Sequence, residues 1–526
     1  KAGELGIIGI DVPEQYGGLG LDKTTSALVG EALSGQASFA VALGVQTGIG
    51  TLPILIFGDE EQKQRFLPDL VTGAKISAYC LSEPGSGSDA LGAKTTAVRD
   101  GDDYVLNGVK AWISNAGFAD IHIVFAQVDG DKFTAFIVER GSPGLSTGAE
   151  EKKMGLKGSS TRQVILEDVR VPARNLLGEI GKGHVIAFNI LNIGRYKLGI
   201  AGAGGGKSAL KHALDYASER KQFQTRLIDF PAIRDKIARM ATSIYTTESM
   251  GYRLTGMLDA RIEAFDKADP EHWKHAADVI KDYAIECSAL KVHGSEGVSV
   301  VLDEALQIFG GYGFTSEYPI EQRLRDSRVN RIFEGTNEIN RMLIPGALFK
   351  RVMQGKVNLM PAISAVEQAS AETAEAPLDV EPLADPTLAL ARFLTEQAKK
   401  VFLFTAGATV QKYMANLDRQ QELLMTMADM VIDLYGADSV IARIGQRIEQ
   451  IGEAKTAAHR AVALVVATEA YRRIAERARD VAGHIARNPG KMIAAIDRLA
   501  PYVAVDLITA RRAVAEHVID AGRYRF

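Results

Sequence analysis

Cysteine is almost missing from this chain: among 526 residues only Cys80 and Cys287 occur. That excludes a disulfide framework and suits a reducing compartment. An excess of one charge is missing too. There are 61 Lys and Arg against 65 Asp and Glu, a net charge of -4, so nothing in the balance points to nucleic acid. No uninterrupted apolar run of about 18 residues stands out, so no membrane span is expected. The chain opens at Lys1 with neither Met nor a targeting signal, in what reads as mid-helix, which leaves the natural N-terminus open. His272 and His275 lie three apart, but no carboxylate or Cys cluster joins them at ligand spacing. A surface position is expected for both, and no metal.

What is present is ordinary globular composition, 46% hydrophobic and 24% charged, with length for roughly three or four domains. Residues 1–75 read mostly as helix, most clearly over 26–33 and 59–70. The pattern then changes. Residues 104–109, 121–128, 133–139 and 163–171 are β-rich runs, and Asn107-Gly108 and Asp129-Gly130 supply turn pairs, which predicts an antiparallel sheet or small barrel. From about residue 183 to 350 the helical period returns in long segments with short connections, as in an antiparallel bundle. Residues 361–387 carry four prolines and six acidic residues with no basic ones, which reads as a solvated linker. Residues 388–526 are helical again. The expected domains are 1–75, 76–182, 183–360, the linker 361–387, and 388–526.

Several stretches carry chemistry. Glu334 stands alone between Ile332-Phe333 and Gly335, the setting of a carboxylate pressed against a cavity wall, where apolar surroundings make a better base near neutral pH. Locally it is also the pattern with which most helices end. Residues 79–89, YCLSEPGSGSD, combine small residues and glycines that let backbone N–H groups approach a ligand's polar edge or phosphate; a tight turn would look the same. Trp112 and Ser114 follow, an indole near a hydroxyl that could wall a flat cofactor or simply fill a core. Arg220-Lys221-Gln222-Phe223 suits a phosphate or a solvated helix end. Gln307 to Gly313, QIFGGYG, closes an apolar helix with glycines. Residues 201–208, AGAGGGKS, mimic a phosphate loop, but no buried strand precedes them, so close helix packing is expected instead.

Taken in order, YCLSEPGSGSDA (79–90), KAWISNAG (110–117), KMGLKGSSTR (153–162), ERKQF (219–223), QIFGGYGF (307–314) and RIFEGTNEI (331–339) resemble the acyl-CoA dehydrogenase family over about residues 1–350. The helical region after the linker resembles the extension of its very-long-chain branch. The resemblance implies a mainly α fold with a central β-barrel: a helical domain, the barrel and a four-helix bundle, followed here by a C-terminal helical domain. It implies FAD as cofactor and an acyl-CoA thioester as substrate, with Glu334 removing the α-proton while flavin N5 takes the β-hydride. Tyr79, Leu81, Ser82, Gly87, Ser88, Trp112, Ser114, Gln307, Gly310, Gly311, Thr336 and Glu338 are expected at the flavin. Arg220 and Phe223 would reach FAD in a neighbouring subunit, so a homodimer is expected. Ser88, Ser159, Asn192, Arg195 and Gly335 are expected along the CoA-thioester path.

Some relatives carry their base on the bundle's first long helix, at the position of Gly194, which cannot serve as one. Gly44, Gly48 and Gly50 fall in the helix forming the pocket's far wall in this family, leaving room for a long acyl chain or for close helix packing. Electron-transferring flavoprotein is the expected electron acceptor. An acyl-CoA oxidase and a flavin-binding scaffold are the alternatives. Residues 438–526 carry 15 basic against 10 acidic residues on amphipathic helices, which could touch anionic lipid or pack on the dimer. The expected location is the cytoplasm of a bacterium, or the matrix or inner-membrane face of a mitochondrion.

Overall fold

A computed structural model gives the fold and describes residues 1–267, 269, 271–371 and 386–526. Four helices come first: α1 (Lys23–Leu33), α2 (Ala37–Gly44), α3 (Leu52–Phe57) and α4 (Glu60–Thr72). The residues before α1 form turns and one 3-10 turn, not the helix expected at Lys1. Asp22 opens α1 by accepting from the Thr25 N–H at 2.6 Å, and Asp59 with Gln62 builds a capping box on α4. A π-helical turn, Val45–Ile49, separates α2 from α3. From Ala37 to Phe57 the helical run has a mean hydropathy of 1.8, long and apolar enough by composition to cross a membrane, which the search for an unbroken apolar run overlooked. In the fold, 56% of its most apolar window is buried.

Eight strands follow: β1 (Ser77–Cys80), β2 (Thr96–Asp100), β3 (Asp103–Ser114), β4 (Ile121–Val128), β5 (Lys132–Glu139), β6 (Leu145–Thr147), β7 (Thr161–Pro172) and β8 (Leu176–Leu177). They form one sheet in the order β6-β7-β3-β2-β4-β5-β8, with β1 added on β4. The four runs read from alternation are β3, β4, β5 and β7. The sheet is mixed, because β1 and β2 both pair with β4 in parallel. Parallel pairing needs a crossover and leaves no turn signature, which hid β1, while β2, antiparallel to β3, has only Ala97 buried and shows no alternation. Its core includes Cys80, Leu106, Val124, Phe136 and Val164. Burial pushes the Cys80 thiol up to about 12, so it stays protonated.

The rest is helical apart from a small hairpin, β9 (Lys221–Gln222) and β10 (Thr225–Arg226). The helices are α5 (Gly183–Glu219), α6 (Pro231–Ile262), α7 (His272–Asp282), α8 (Ala284–Phe309), α9 (Pro319–Ser327), α10 (Asn337–Met353), α11 (Met360–Ala371), α12 (Pro386–Tyr413), α13 (Gln421–Ile451), α14 (Ala457–Ile485), α15 (Pro489–Leu499) and α16 (Leu507–Ala521). Helix α11 occupies the start of the stretch read as linker, and residues 372–385 lie outside those described. His272, expected at the surface, is buried at the head of α7, its Nδ1 3.2 Å from the Asp266 carbonyl.

The chain divides into two compact units. One comprises Lys1–Gly205, Leu254–Cys287 and Arg325–Thr336; the other comprises Gly206–Arg253, Ser288–Leu324 and Asn337–Phe526. The phosphate-loop mimic lies wholly within α5. In the first unit a Cβ on Gly204 would overlap the Glu31 carbonyl; in the second, one on Gly206 would sit 3.0 Å from Ile244. These small residues are helix-packing positions, as the sequence suggested. In the second unit α14 packs on α12, α13, α15 and α16, and α10 packs on α13. Arg341 of α10 bridges Glu296 and Asp429, each at 2.7 Å.

Candidate active site

Glu334 does not end a regular helix. It follows a 3-10 turn, Arg328–Arg331, and precedes α10, with φ of +58° and Gly335 at +81°. A glutamate in the left-handed region costs about 1–2 kcal/mol and persists where its surroundings over-determine it. Here they do. Arg195, buried on α5, donates from Nε to the Glu334 carbonyl at 3.2 Å, while its Nη1 donates to Asn192 Oδ1 at 2.8 Å. Burial pulls the Arg195 guanidinium down and the nearby Glu334 charge opposes this. The side chain of Glu334 runs against Gly194: a Cβ there would come within 2.6 Å of the carboxyl carbon. The wall beside the carboxylate is therefore Gly194, while Ile332, expected to form it, is exposed.

Tyr79 on β1 belongs to the same unit. Its hydroxyl is buried with no partner among the described residues, and burial, then the charge of Glu334, raises its pKa. Its ring meets Phe125 edge-on at 5.3 Å. Leu81 and Ser82 continue from β1: the Leu81 carbonyl lies 3.5 Å from Lys110 Nζ, and the Ser82 carbonyl accepts from the Ala111 N–H at 2.9 Å. The loop carrying Gly87 and Ser88 is exposed, and a Cβ on Gly87 would meet nothing within 4 Å. Glu83, which nothing within its motif singles out, anchors this loop. Its carboxylate accepts from the Lys94 N–H at 2.6 Å, the Thr95 N–H at 3.0 Å and buried Lys110 Nζ at 2.7 Å. Burial pushes Glu83 up, but Lys110 and Thr95 outweigh it and hold it below its ordinary value.

The β3 register against β7 slips between Lys110 and Ile113, and Trp112 in that bulge has φ of +61°. The indole is 65% exposed, so Trp112 is not a core residue. Ser114 ends β3 opposite Thr161. Ser159 is buried with its Oγ unpartnered among the described residues, and Lys153 Nζ donates to its carbonyl. That stretch is tied to the run leading to Glu334: Arg325 Nη1 donates to the Met154 carbonyl at 2.7 Å, and Asp326 accepts from the Leu156 N–H. The first unit thus holds Tyr79, Leu81, Ser82, Gly87, Ser88, Trp112, Ser114, Ser159, Asn192, Arg195, Glu334, Gly335 and Thr336.

The second unit holds Arg220, Phe223, Gln307, Gly310, Gly311 and Glu338. Phe223 sits in the β9–β10 hairpin with φ of +50° and is 90% exposed. Arg220 lies over the Tyr312 ring at 5.6 Å. Helix α8 does end at its glycines, Gly310 having φ of +60°, and a Cβ on Gly310 or Gly311 would meet nothing within 4 Å. Both the capping and the ligand-approach readings of that motif remain physically satisfied. Gln307 and Glu338 are exposed.

The first unit thus carries a glutamate fixed at its backbone, a nearby Tyr79 hydroxyl with no partner among the described residues, and an outward-turned indole. The same chain matches three family descriptions in sequence: "Acyl-CoA dehydrogenase, N-terminal domain" over residues 1–74, "middle domain" over 78–169 and "C-terminal domain" over 181–349. A further acyl-CoA dehydrogenase C-terminal domain matches over 397–491. A probable acyl-CoA dehydrogenase of Bacillus subtilis (strain 168) is 46% identical over 100% of this chain and 88% of that protein. The mitochondrial very long-chain specific acyl-CoA dehydrogenase of Rattus norvegicus is 36% identical over 85% of this chain and 69% of that protein. A crystal structure of acyl-CoA dehydrogenase complexed with FAD from Bacillus anthracis superposes with a TM-score of 0.96 at 45% identity, covering 100% of this chain and 89% of that one. With its residues matched from the first helices through the last helical region, the chain belongs to the acyl-CoA dehydrogenase family of oxidoreductases.

Proposed function

We propose that this protein catalyses FAD-dependent α,β-dehydrogenation of long-chain acyl-CoA thioesters to trans-2-enoyl-CoA, with Glu334 as the base. The observation that carries the reading is Glu334 itself, seated against Gly194 with its carbonyl held by Arg195. The residues fit a flavin. In the first unit the buried Tyr79 hydroxyl has no partner among the described residues, Trp112 offers an exposed ring face, and Gly87 leaves room for close approach. When bound, FAD supplies the hydride acceptor.

The chain's own residues do the rest. Glu334 takes the α-proton, and its backbone N–H is the donor assigned to the thioester carbonyl, whose developing negative charge it stabilises. Arg195 and Asn192 keep that backbone in place. The unpartnered Ser159 hydroxyl and the exposed Ser88 are donors for the CoA thioester path. The preference for long chains rests on Gly44 and Gly48, where a Cβ would meet nothing within 4 Å; Gly50 instead backs onto Ser77. Electron-transferring flavoprotein is the acceptor that goes with this chemistry. Arg220 and Phe223 are the residues that would reach the flavin of a second subunit in a homodimer, and residues 438–526, with 15 basic against 10 acidic residues, are the surface offered to anionic lipid.

The test is anaerobic flavin reduction across a series of acyl-CoA chain lengths. A long-chain acyl-CoA bleaches the flavin band of the wild type, and Glu334→Gln abolishes the bleaching while retaining FAD. Undiminished bleaching by the variant would overturn the base assignment, and rapid peroxide formation in air would identify an oxidase.

A further inference from the structure

A lone amide, Gln46, interrupts the apolar run from Ala37 to Phe57. It is buried in the π-helical turn and makes its full complement of hydrogen bonds. Nε2 donates to the Leu70 carbonyl at 2.8 Å and the Lys75 carbonyl at 3.1 Å, and Oε1 accepts from the Ser77 N–H at 2.6 Å and Ser77 Oγ at 2.9 Å. Ser77 begins β1, two residues before Tyr79. Its carbonyl in turn accepts from Asn115 Nδ2 at 3.3 Å, and the same Nδ2 donates to the Ala42 carbonyl of α2 at 3.0 Å. Asn115 directly follows Ser114 and is fully buried. It has φ of +66°, its own N–H donates to the Ser160 carbonyl at 3.0 Å, and its carbonyl accepts from the Ala119 N–H at 2.8 Å.

Three segments meet in this knot. One is the turn flanked by Gly44 and carrying Gly48. The second is the strand delivering Tyr79, and the third is the end of β3 delivering Trp112 and Ser114. A π turn shifts backbone bonding away from the i→i−4 pattern, and such turns recur at functional sites. The Asn115 amide grips the chain just before that turn, at the α2 carbonyl of Ala42, which also accepts from the Val45 N–H. Stability alone would be served by apolar packing at either position: Gln46 makes every bond, but Asn115 Oδ1 is buried with no partner among the described residues, which costs free energy. What the amides add is a fixed register.

We propose that Gln46 and Asn115 are positioning residues that lock the substrate-pocket wall at Gly44 and Gly48 to the cofactor-bearing ends of β1 and β3. Acyl-chain length is thereby read against a fixed flavin position. The inference rests on the function proposed above for what the two surfaces hold. A long acyl chain touches both surfaces and depends on their register; a short one touches only the reacting end.

Asn115→Gly separates side chain from backbone, since glycine adopts the left-handed conformation freely and removes only the tether. In hydrogen–deuterium exchange on protein without FAD, exchange over residues 42–50 is expected to quicken. In the FAD-loaded protein, flavin reduction by a sixteen-carbon acyl-CoA is expected to slow about ten-fold or more, since displacement of order 1 Å costs up to about a hundred-fold, and reduction by a four-carbon one far less. A structural role alone would lower both rates together. If Asn115→Gly does not accumulate folded, Asn115→Asp keeps the shape and removes the donors. Unchanged exchange over 42–50 together with an unchanged ratio of long- to short-chain rates would overturn the inference. Failure of wild-type protein to reduce its flavin with any acyl-CoA would instead overturn the function on which it rests, leaving exchange to decide the tether.

Discussion

Gly194 lies directly beneath the carboxylate of Glu334, so close that a Cβ at residue 194 would fall 2.6 Å from the carboxyl carbon. The next residue, Arg195, holds the carbonyl of the same glutamate at 3.2 Å. One helical turn therefore shapes the proposed base from two sides: it clears space for the side chain and pins the backbone. A side chain at residue 194 would collide with the Glu334 carboxylate, so glycine there is a steric requirement of this arrangement.

Gly194→Ala tests this. Alanine in place of a mid-helical glycine favours the helix by about 1 kcal/mol, so thermal stability should hold or rise. The methyl group displaces the carboxylate, and a shift of order 1 Å is expected to slow flavin reduction about a hundred-fold. FAD content should be unchanged. Stopped-flow reduction combined with a melting curve separates the two effects, and a rate that fell only in proportion to lost folding would count against the contact.

Asp11 is buried between two lysines, 2.9 Å from Lys23 Nζ and 2.7 Å from Lys197 Nζ, and also accepts from Ser26 Oγ at 2.7 Å. Burial pushes the carboxyl up, but Lys197 and Lys23 outweigh it and hold Asp11 far below the usual carboxylate range. A depressed folded pKa stabilises the fold fully above the unfolded value near 4 and loses that contribution as pH falls toward the folded one. Asp11→Asn strands two lysines and is expected to cost about 3–5 kcal/mol at pH 7. The gap between variant and wild type should narrow as denaturant curves are repeated from pH 5 down to pH 2.

Part of the candidate site was legible because short motifs of unusual residues mark it. Glu334 and the 79–89 loop stand out without coordinates, while Arg195 came only with the resemblance to the family. What supports them does not stand out. Glu83 and Lys110 are 27 positions apart, and nothing local shows that they pair within the sheet. Trp112 read equally well as core, because the bulge that turns it outward is a register slip between β3 and β7. Alternation found β3, β4, β5 and β7 but missed β1, whose partner lies across a crossover, and β2, on which only Ala97 is buried, so that it shows no alternation. Gln46 alone left a trace, as an amide within an apolar run, since a buried amide must find partners elsewhere.

His459 in the second unit is buried beside Arg443, and its Nδ1 lies 2.9 Å from the Tyr245 hydroxyl. Burial, then the charge of Arg443, pulls the imidazole down to about 4. An unfolded histidine titrates near 6.5, so between about pH 6.5 and 4 the unfolded chain binds a proton that the folded one refuses. Stability therefore falls with pH across that window, by about 3 kcal/mol from this group. His459→Gln keeps an acceptor for Tyr245 but does not titrate. Denaturation midpoints across the window should fall less steeply in the variant, and parallel slopes would refute the assignment.

The wall proposed for the acyl chain offers a matched comparison within seven residues. A Cβ on Gly44 or Gly48 would meet nothing within 4 Å, whereas one on Gly50 would lie 2.7 Å from the Ser77 Cβ. If the open side of the wall accepts the far end of a long acyl chain, Gly48→Leu should fold normally, because the new side chain enters free space and replaces a poor helix former. It should nevertheless shift the preferred substrate toward shorter chains. Each methylene that no longer reaches the wall forfeits about 0.8 kcal/mol of apolar contact, roughly four-fold in relative kcat/KM per carbon. Gly50→Leu should do the reverse, lowering the melting temperature through its clash with Ser77 while leaving the chain-length order intact. Competition between acyl-CoAs of graded length, run on both variants, reads the two outcomes directly, and equal profiles for Gly48→Leu and wild type would place the acyl chain elsewhere.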